Sequence, residues 1–251
     1  METLRGTLVV TGASRGIGAA TARLAAASGY GVAVNYATAR AEAEGVVRDI
    51  VAAGGIAHAI AGDVSREAEV LSLFAEAHAT LGPIAGLVNN AGVTGGSARV
   101  VEVSADRLER TLAVNVTGSF LCAREAVRRM AHSRGGSGGA IVNVSSIAAR
   151  LGGAGEWVHY AASKGAIDSF TRGLAIEVAA DGIRVNAVSP GLIETEIHAT
   201  SSIPNRLAAL APTVPMRRAG TPEEVAETIL WLLSENASYV SGTIVDVGGG
   251  R

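Results

Sequence analysis

The sequence has a single cysteine, Cys122, so no disulfide can close within the chain. That fits a reducing compartment. Cys122 lies in the apolar run SFLCA, where a buried structural thiol is the expected role. Neither sign of charge is in excess: 21 Lys and Arg against 23 Asp and Glu leave a formal net charge of −2. No broad basic field is therefore offered to nucleic acid or to an anionic membrane. Arg124, Arg128, Arg129 and Arg134 group near a helix end, and the expectation for them is a solvated face favoured at a helix C-terminus. No apolar run reaches the roughly 18 residues of a membrane span. The opening METLRGTLVVTG lacks the apolar core and cleavage pattern of a secretory signal. A soluble, cytoplasmic protein is expected. The five histidines are scattered without metal-ligand spacing, so no metal is expected either.

What is present is a chain of 251 residues that is 48% hydrophobic, enough for one large α/β domain over 1–251. Short β-branched runs alternate with long helical patterns. The runs are Thr7–Val10, Gly31–Tyr36, Ile56–Gly62, Ile84–Asn90, Ala140–Ser146, Ile183–Pro190 and Gly242–Gly249. Helical stretches fall between them at about Ile17–Ser28, Ala39–Ala53, Glu67–Leu81, Ala105–Ala131, Trp157–Ala180 and Pro222–Ser234. Nearly continuous apolar strands separated by helices predict a parallel sheet covered on both faces, a Rossmann-type doubly wound fold. The stretch 191–221 breaks the rhythm with Pro204, Pro212 and Pro215 and a weak helical patch. It follows a strand's C-terminal end, where such sheets bind ligands, and is read as a substrate lid.

The chemistry-bearing residues sit at those strand ends. VVTGASRGIGAAT joins the first strand to the first helix, with Gly12, Gly16 and Gly18 spaced G-x-x-x-G-x-G. Such glycines let the backbone turn tightly and approach an anion, and the helix N-terminus offers unpaired N–H groups to a phosphate. The second strand ends at Asn35-Tyr36 with no acidic residue, while Arg15 and Arg40 lie close in sequence. A ribose 2′-phosphate would meet cations there, which favours NADP(H) over NAD(H). Asp63 follows the third strand and either accepts from an adenine amino group or caps the next helix. NNAG, Asn89–Gly92, ends the fourth strand; its small residues permit close packing on a cofactor, and Asn89 or Asn90 can tie strands or ribose. Asn115 interrupts a helical run, where Asn competes for backbone hydrogen bonds and a kink is expected. Ser145 and Ser146 end the fifth strand. In YAASK, Tyr160 and Lys164 are four apart on one helix and therefore neighbours.

TGASRGIG, NNAG, Asn115, VNVSS, YAASK and NAVSPG, in this order and spacing, resemble the short-chain dehydrogenase/reductase family over essentially the whole chain. Within it the sequence resembles the NADP(H)-using branch with bacterial 3-oxoacyl-carrier-protein reductases and glucose 1-dehydrogenase-like enzymes. The resemblance implies a seven-stranded parallel sheet and a homotetramer or homodimer. It implies a small carbonyl or alcohol substrate. It implies that Tyr160 is the acid/base, Lys164 its activator and ribose ligand, Ser146 the substrate-oxygen donor and Asn115 the anchor of a proton relay. Cofactor contacts are implied for Gly12, Ser14, Arg15, Gly16, Ile17, Gly18, Asn35, Tyr36, Asp63, Val64, Asn90, Ala91, Gly92, Tyr160, Lys164, Pro190, Gly191, Ile193 and Thr195. Two departures stand out. Ser146 to Tyr160 is one residue longer than usual, with Ser145 the alternative donor, and the ending DVGGGR differs from the common aspartate–glycine–glycine.

The expected chemistry follows from one ionisation. A free tyrosine has a pKa of about 10, and a nearby cation favours phenolate. A lowering of about two to three units would put Tyr160 near working pH as a general acid–base. His159, next in the chain, points about 100° away and is expected to pack or face solvent. The lid carries Glu194, Glu196 and His198 as candidate polar contacts, and Glu156 and Trp157 flank the entrance. Arg251 is read as an interface contact or a frayed end.

Overall fold

The computed structural model describes residues 5–197, 201 and 203–251. Seven parallel strands form one sheet: β1 Thr7–Val10, β2 Gly31–Tyr36, β3 Ile56–Ala61, β4 Ile84–Asn89, β5 Gly139–Val144, β6 Ile183–Pro190 and β7 Ile244–Val247. Their order across the sheet is β3-β2-β1-β4-β5-β6-β7, the doubly wound topology expected from the alternating pattern.

The period of two in each strand sorts its side chains between two cores. Leu8 and Val10 of β1, Val32 and Val34 of β2, and Val142 and Val144 of β5 face one core. Their neighbours Val9, Ala33 and Ile141 face the other. The first core is covered by α1 (Gly16–Ala27), α2 (Arg40–Ala52) and α9 (Pro222–Leu233), through Ala22, Val46 and Ile229 among others. The second is covered by α3 (Glu67–Leu81), α5 (Gly118–Met130) and α7 (Val158–Val178), through Phe74, Ala126 and Ala175. In α1 the buried positions are Gly, Ala and Thr, so the helix can lie close above the sheet.

Four differences from the sequence reading have physical causes. The helix expected over Ala105–Ala131 is divided into α4 (Ala105–Leu112), a wide π turn at Ala113–Thr117, and α5. Asn115 sits at the centre of that turn with its side chain hydrogen-bonded to the backbone of Val93, as its poor fit to a helix interior anticipates. β5 stops at Val144: the Ser145 N–H still donates to the Val188 carbonyl of β6, and the chain then turns at Ser146 into short α6 (Ala148–Leu151). In the stretch 191–221, where only a weak helical patch was expected, the described residues include α8 (Arg206–Leu210) and a 3₁₀ turn at Ala211–Thr213. The group Arg124, Arg128 and Arg129 is not simply a solvated face. All three converge on the carboxylate of Glu125, at 3.2, 2.7 and 2.7 Å, and that side chain is only 3% exposed.

Candidate active site

Strand order reverses between β1 and β4, and the crevice above their C-terminal ends is where this topology admits a ligand. The turn after β1 forms one wall. Gly12 has φ +60°, and a Cβ there would lie 2.9 Å from the Cα of Ala91. At Gly18 a Cβ would meet Asn90 Nδ2 at 2.5 Å and the Gly12 oxygen at 2.6 Å. The turn is tied to the end of β4. Asn90 Nδ2 donates to the Thr11 and Gly12 carbonyls, and the backbone N–H groups of Asn90 and Ala91 donate to Thr11 Oγ1. Arg15 precedes α1 in an extended conformation and no side chain caps the helix. The N–H groups of Gly16, Ile17 and Gly18 thus face the turn without a side-chain acceptor, an anion site by geometry and dipole. Ser14 is half-buried at its edge, and the methyl of Thr195 from the lid lies 3.1 Å from where a Gly16 Cβ would be.

Two residues expected to meet a cofactor are committed elsewhere. Asn35 is buried: its Oδ1 accepts from the Gly12 N–H at 3.2 Å, and its Nδ2 donates to the Ile60 and Gly62 carbonyls. Its side chain staples β1, β2 and β3 and is not turned to a ligand. Asp63 does not cap α3, whose N-cap is Arg66. Its Oδ1 accepts from Ser65 N and Oγ, and its Oδ2 pairs with Arg110 of α4 at 3.0 Å. Burial works to raise the Asp63 carboxyl, but the Ser65 hydrogen bonds and Arg110 outweigh it and hold it below its ordinary value. Val64 packs its side chain on Gly118 of α5. Tyr36 is half-buried at the tip of β2 and Arg15 is exposed. Arg40, also exposed, pairs with Glu44 at 2.7 Å. Ala91 and Gly92 continue the β4 edge; Pro190 ends β6, Gly191 N–H donates to Val247 O, and Ile193 forms a bridge with Gly220.

On the opposite wall, α7 runs beneath the end of β5 and brings Tyr160 and Lys164 to the crevice, both buried. The two serines divide. Ser146 Oγ accepts from the Ala148 N–H at 3.1 Å and works to lower the pKa of the Tyr160 phenol, while Ser145 Oγ is turned inward and donates to Asp168 Oδ1 at 2.5 Å. Between Ser146 and Tyr160 the chain runs through short α6 and a loop in which Gly152, Gly153 and Gly155 all have positive φ. Lys164 Nζ donates to the Val144 carbonyl at 2.6 Å and lies 5.7 Å from the centre of the Tyr160 ring. Gly92 closes this end: a Cβ there would lie 3.4 Å from Asn115 Oδ1 and 3.5 Å from Lys164 Nζ. Asn115 Nδ2 also donates to Ser163 Oγ, which ties the π turn to α7.

The electrostatics differ from the sequence expectation in one respect. Burial pushes the Tyr160 phenol above its ordinary value, and the Ser146 hydrogen bond only partly opposes this. Lys164 is pushed down to about 8 by burial, with Asp168 acting the other way. The lysine hydrogen-bonds Val144 rather than the phenol, so desolvation outweighs its pull on the tyrosine proton.

Among the described residues the stretch 191–221 is tied down at several places, Arg218 to Glu224 of α9 among them. Arg206 of α8 stacks its guanidinium 4.1 Å from the Trp157 ring and pairs with Glu156, which also accepts from Ser201 Oγ. Both members of the pair are nearly buried, at 14% and 13% exposure. Trp157 in turn meets Tyr160 edge-on with ring centres 6.1 Å apart. At the other end the C-terminal tail holds the lid: Met216 N–H donates to Gly249 O, and Arg150 donates to the Arg251 carbonyl, so Arg251 is held rather than frayed. His159 is buried against Gly95, and neither ring nitrogen has a hydrogen-bond partner among the described residues. His198 lies outside the described residues. Among those described, no group of His, Cys, Asp or Glu is arranged to hold a metal ion, and no helix is long and apolar enough to cross a membrane.

Sequence reading missed Arg206, Asp168 and the clamp on Glu125. It also passed over a plain signal. Lys164 is the only lysine in the chain; every other member of the 21 Lys and Arg is arginine.

A parallel sheet with this crevice and a buried tyrosine–serine–lysine group defines a nucleotide-dependent oxidoreductase of the short-chain type. The family model described as Enoyl-(Acyl carrier protein) reductase matches residues 12–251. The chain is 54% identical over 243 residues to uncharacterized oxidoreductase YgfF of Escherichia coli (strain K12), covering 97% of this chain and 98% of that protein. It is 37% identical over 243 residues to a 3-oxoacyl-[acyl-carrier-protein] reductase of Synechocystis, covering 96% and 95%. A blue fluorescent protein from a metagenomic library, solved in complex with NADPH, superposes with a TM-score of 0.90 at 34% identity, over 100% of this chain and 99% of that one. The chain belongs to the short-chain dehydrogenase/reductase family, oxidoreductases that act on CH–OH and C=O groups with a nicotinamide dinucleotide.

Proposed function

We propose that this protein is an NADP(H)-dependent oxidoreductase that interconverts a small-molecule carbonyl and a secondary alcohol, with Tyr160 as the general acid/base. The observation that carries this reading is Tyr160 buried at the crevice, with Ser146 acting on its phenol from the end of β5 and Lys164 on the next turn of the same helix.

The glycine turn packs so tightly on the end of β4 that a Cβ at Gly12 would lie 2.9 Å from Ala91 Cα and one at Gly18 2.5 Å from Asn90 Nδ2, which supports a turn whose backbone can approach a dinucleotide closely. The uncapped turn of Ser14, Gly16, Ile17 and Gly18 would hold the pyrophosphate. Arg15, Tyr36 and Arg40 would hold the ribose 2′-phosphate, and no carboxylate at the tip of β2 repels it, which supports NADP(H) over NAD(H). Asp63 and Val64 would border the adenine through their backbone. Asn90, Ala91, Gly92, Pro190, Gly191, Ile193 and Thr195 would border the nicotinamide half. The bound nicotinamide supplies or takes up the hydride.

The protein's own part is to move one proton and steady one oxygen. Ser146 donates a hydrogen bond to the carbonyl oxygen as charge builds there. Tyr160 gives that oxygen its proton. A phenol held above its ordinary value is fully protonated at neutral pH, which suits the acid role in carbonyl reduction. Lys164, through the Val144 carbonyl, and Asn115, through Ser163, tie the turn of α7 that carries Tyr160 to the β5 edge and the π turn.

Reduction of an acyl thioester on a carrier protein is the alternative, supported by the Synechocystis relative. It needs a free basic docking patch, and the arginines that would provide one on α5 are spent on Glu125 and Glu67. Assembly as a homotetramer or homodimer belongs to the same proposal. It is supported by half-exposed Phe120, stacked on Phe170 at 3.8 Å, and by Ile176, exposed on the same helix pair.

The test is a panel of ketones, aldoses and acyl thioesters followed by loss of NADPH or NADH absorbance. Turnover with NADPH that disappears in Tyr160→Phe supports the reading. Equal use of NADH undoes the cofactor assignment, and turnover surviving in Tyr160→Phe undoes the mechanism.

A further inference from the structure

Ser145 and Asp168 have no part in the chemistry above, yet they sit directly behind it. Ser145 is buried at the turn off β5, next to Ser146. Its hydroxyl donates to Asp168 Oδ1 at 2.5 Å and also lies 3.3 Å from the Lys164 carbonyl. Asp168 is four residues beyond Lys164 on α7, one turn along the same face. The three residues therefore join the strand end that carries Ser146 to the helix turn that carries Lys164.

The surroundings of Lys164 show why a carboxylate matters there. From β5 the ammonium donates to the Val144 carbonyl; beside it, a Cβ at Gly92 would lie 3.5 Å from Nζ and 3.4 Å from Asn115 Oδ1. From α7 itself it meets Tyr160 and Asp168. Among the described residues these two are the titratable groups that bear on it, Tyr160 through its ring and Asp168 through its charge one turn along α7. A buried ammonium is costly unless an opposite charge offsets the lost water.

We propose that Asp168 is a positioning residue for the reaction: its carboxylate keeps Lys164 in the ammonium form and, through Ser145, pins the lysine's turn of α7 to the end of β5. This rests on the reading of Tyr160 and Lys164 as the proton-handling pair. It assigns Asp168 no contact with substrate or cofactor.

Because Lys164 is the only lysine, the test can observe it directly. The full chain, without lysine in any tag, is labelled with 13Cε-lysine, saturated with NADPH and titrated by NMR; one lysine signal reports one ammonium. In Asp168→Asn, which keeps the shape and a partner for Ser145, the midpoint falls by about one pH unit or more. NADPH consumption then falls about tenfold at pH 8.5 and stays within about twofold of wild type at pH 6.5. In Ser145→Ala the midpoint stays and kcat falls several-fold at every pH. An unmoved midpoint in Asp168→Asn overturns the electrostatic role, and an unchanged kcat in Ser145→Ala overturns the pinning role. Should Asp168→Asn fail to fold, Asp168→Glu decides: a midpoint that stays with wild type supports the role of charge, and one that drops overturns it. Failure of the parent reading looks different, because Tyr160→Phe would then still turn over whatever the lysine signal does.

Discussion

The floor of the crevice and its lid are built by different physics. The floor is joined by short, buried hydrogen bonds from amide side chains to backbone. Asn35 links three strands, Asn90 ties β4 to the glycine turn, Asn115 ties the π turn to Val93 and Ser163, and Asn89 donates to Ser119 and Asn143. Each satisfies polar groups that could not be left unpaired in the interior, so alternative placements are costly. The lid is attached by ion pairs, one of them nearly buried and stacked on a tryptophan, and by the C-terminal tail. A reacting group must be held to a fraction of an ångström, whereas a substrate cover must open. On the proposed function, the floor would set which bond is made, and the segment 191–221, if it covers the substrate, what reaches it.

The strongest challenge to that division is at the floor. Tyr160→Phe keeps the ring against Trp157 and removes one oxygen. It should lower kcat by about a thousandfold, within the usual range for a general acid, while NADPH quenching titrations give an unchanged Kd. Lys164→Met should lower kcat comparably and at the same time stabilise the fold. The sign follows from linkage. Lys164 is pushed from 10.5 down to about 8 on folding, so below about pH 8 both states carry the proton and the burial cost is fully present. Between those values the unfolded chain holds a proton that the folded chain has lost, and stability rises with pH. Removing the lysine should therefore add about 3 kcal/mol at pH 7, an advantage that fades as pH climbs toward 10.5. Urea midpoints at pH 7 and pH 10 measure it. A variant less stable at both would mean that the lysine's packing, not its desolvation, dominates.

The lid should answer differently. Arg206→Met retains volume over Trp157 but strands the Glu156 carboxylate, a change that costs about 3–5 kcal/mol when a buried partner is left behind. The cost falls on the lid's local opening rather than on global unfolding. KM for a bulky ketone should rise about tenfold while kcat for the smallest accepted ketone stays within about twofold. The double variant Arg206→Met with Glu156→Gln should recover part of the KM loss. If the loss appears in kcat for the smallest ketone instead, the lid sets the chemistry too and the division between floor and cover fails.

Much of the floor was legible because it rests on local rules. The strand runs at Thr7–Val10, Gly31–Tyr36 and Ile183–Pro190 carry their boundaries in β-branched composition and flanking glycine or proline. The kink at Asn115 follows from one residue unsuited to a helix interior. What was not legible depends on distances between elements. Nothing in NYATAR indicates that Asn35 turns inward to serve Gly12, Ile60 and Gly62, because those partners are gathered by sheet pairing. The convergence of three arginines on Glu125 cannot be told from a solvated run without knowing how deeply that helix face is buried. The rise of the Tyr160 pKa is likewise a matter of burial, which a four-residue spacing does not contain. The latch from Arg206 to Glu156 spans 50 residues and leaves no local trace.

The smallest expected effect is also the one that separates the two roles most finely. Asn35 stands where a cofactor-discriminating residue would be expected, at the end of β2, yet its side chain is occupied by the glycine turn and by β3. Asn35→Ala removes an acceptor from the Gly12 N–H and a donor from two carbonyls, so stability should fall by about 1–3 kcal/mol. The glycine turn loses its brace, and NADPH and NADH should weaken together, by about the same several-fold factor. A residue that touched the ribose would change their ratio instead. Measuring both Kd values in Asn35→Ala, beside Arg15→Ala as the variant expected to weaken NADPH alone, therefore tests whether the bracing side chain is part of the scaffold or part of the reading of the cofactor. An altered NADPH-to-NADH ratio in Asn35→Ala would return it to the ligand's side of the crevice.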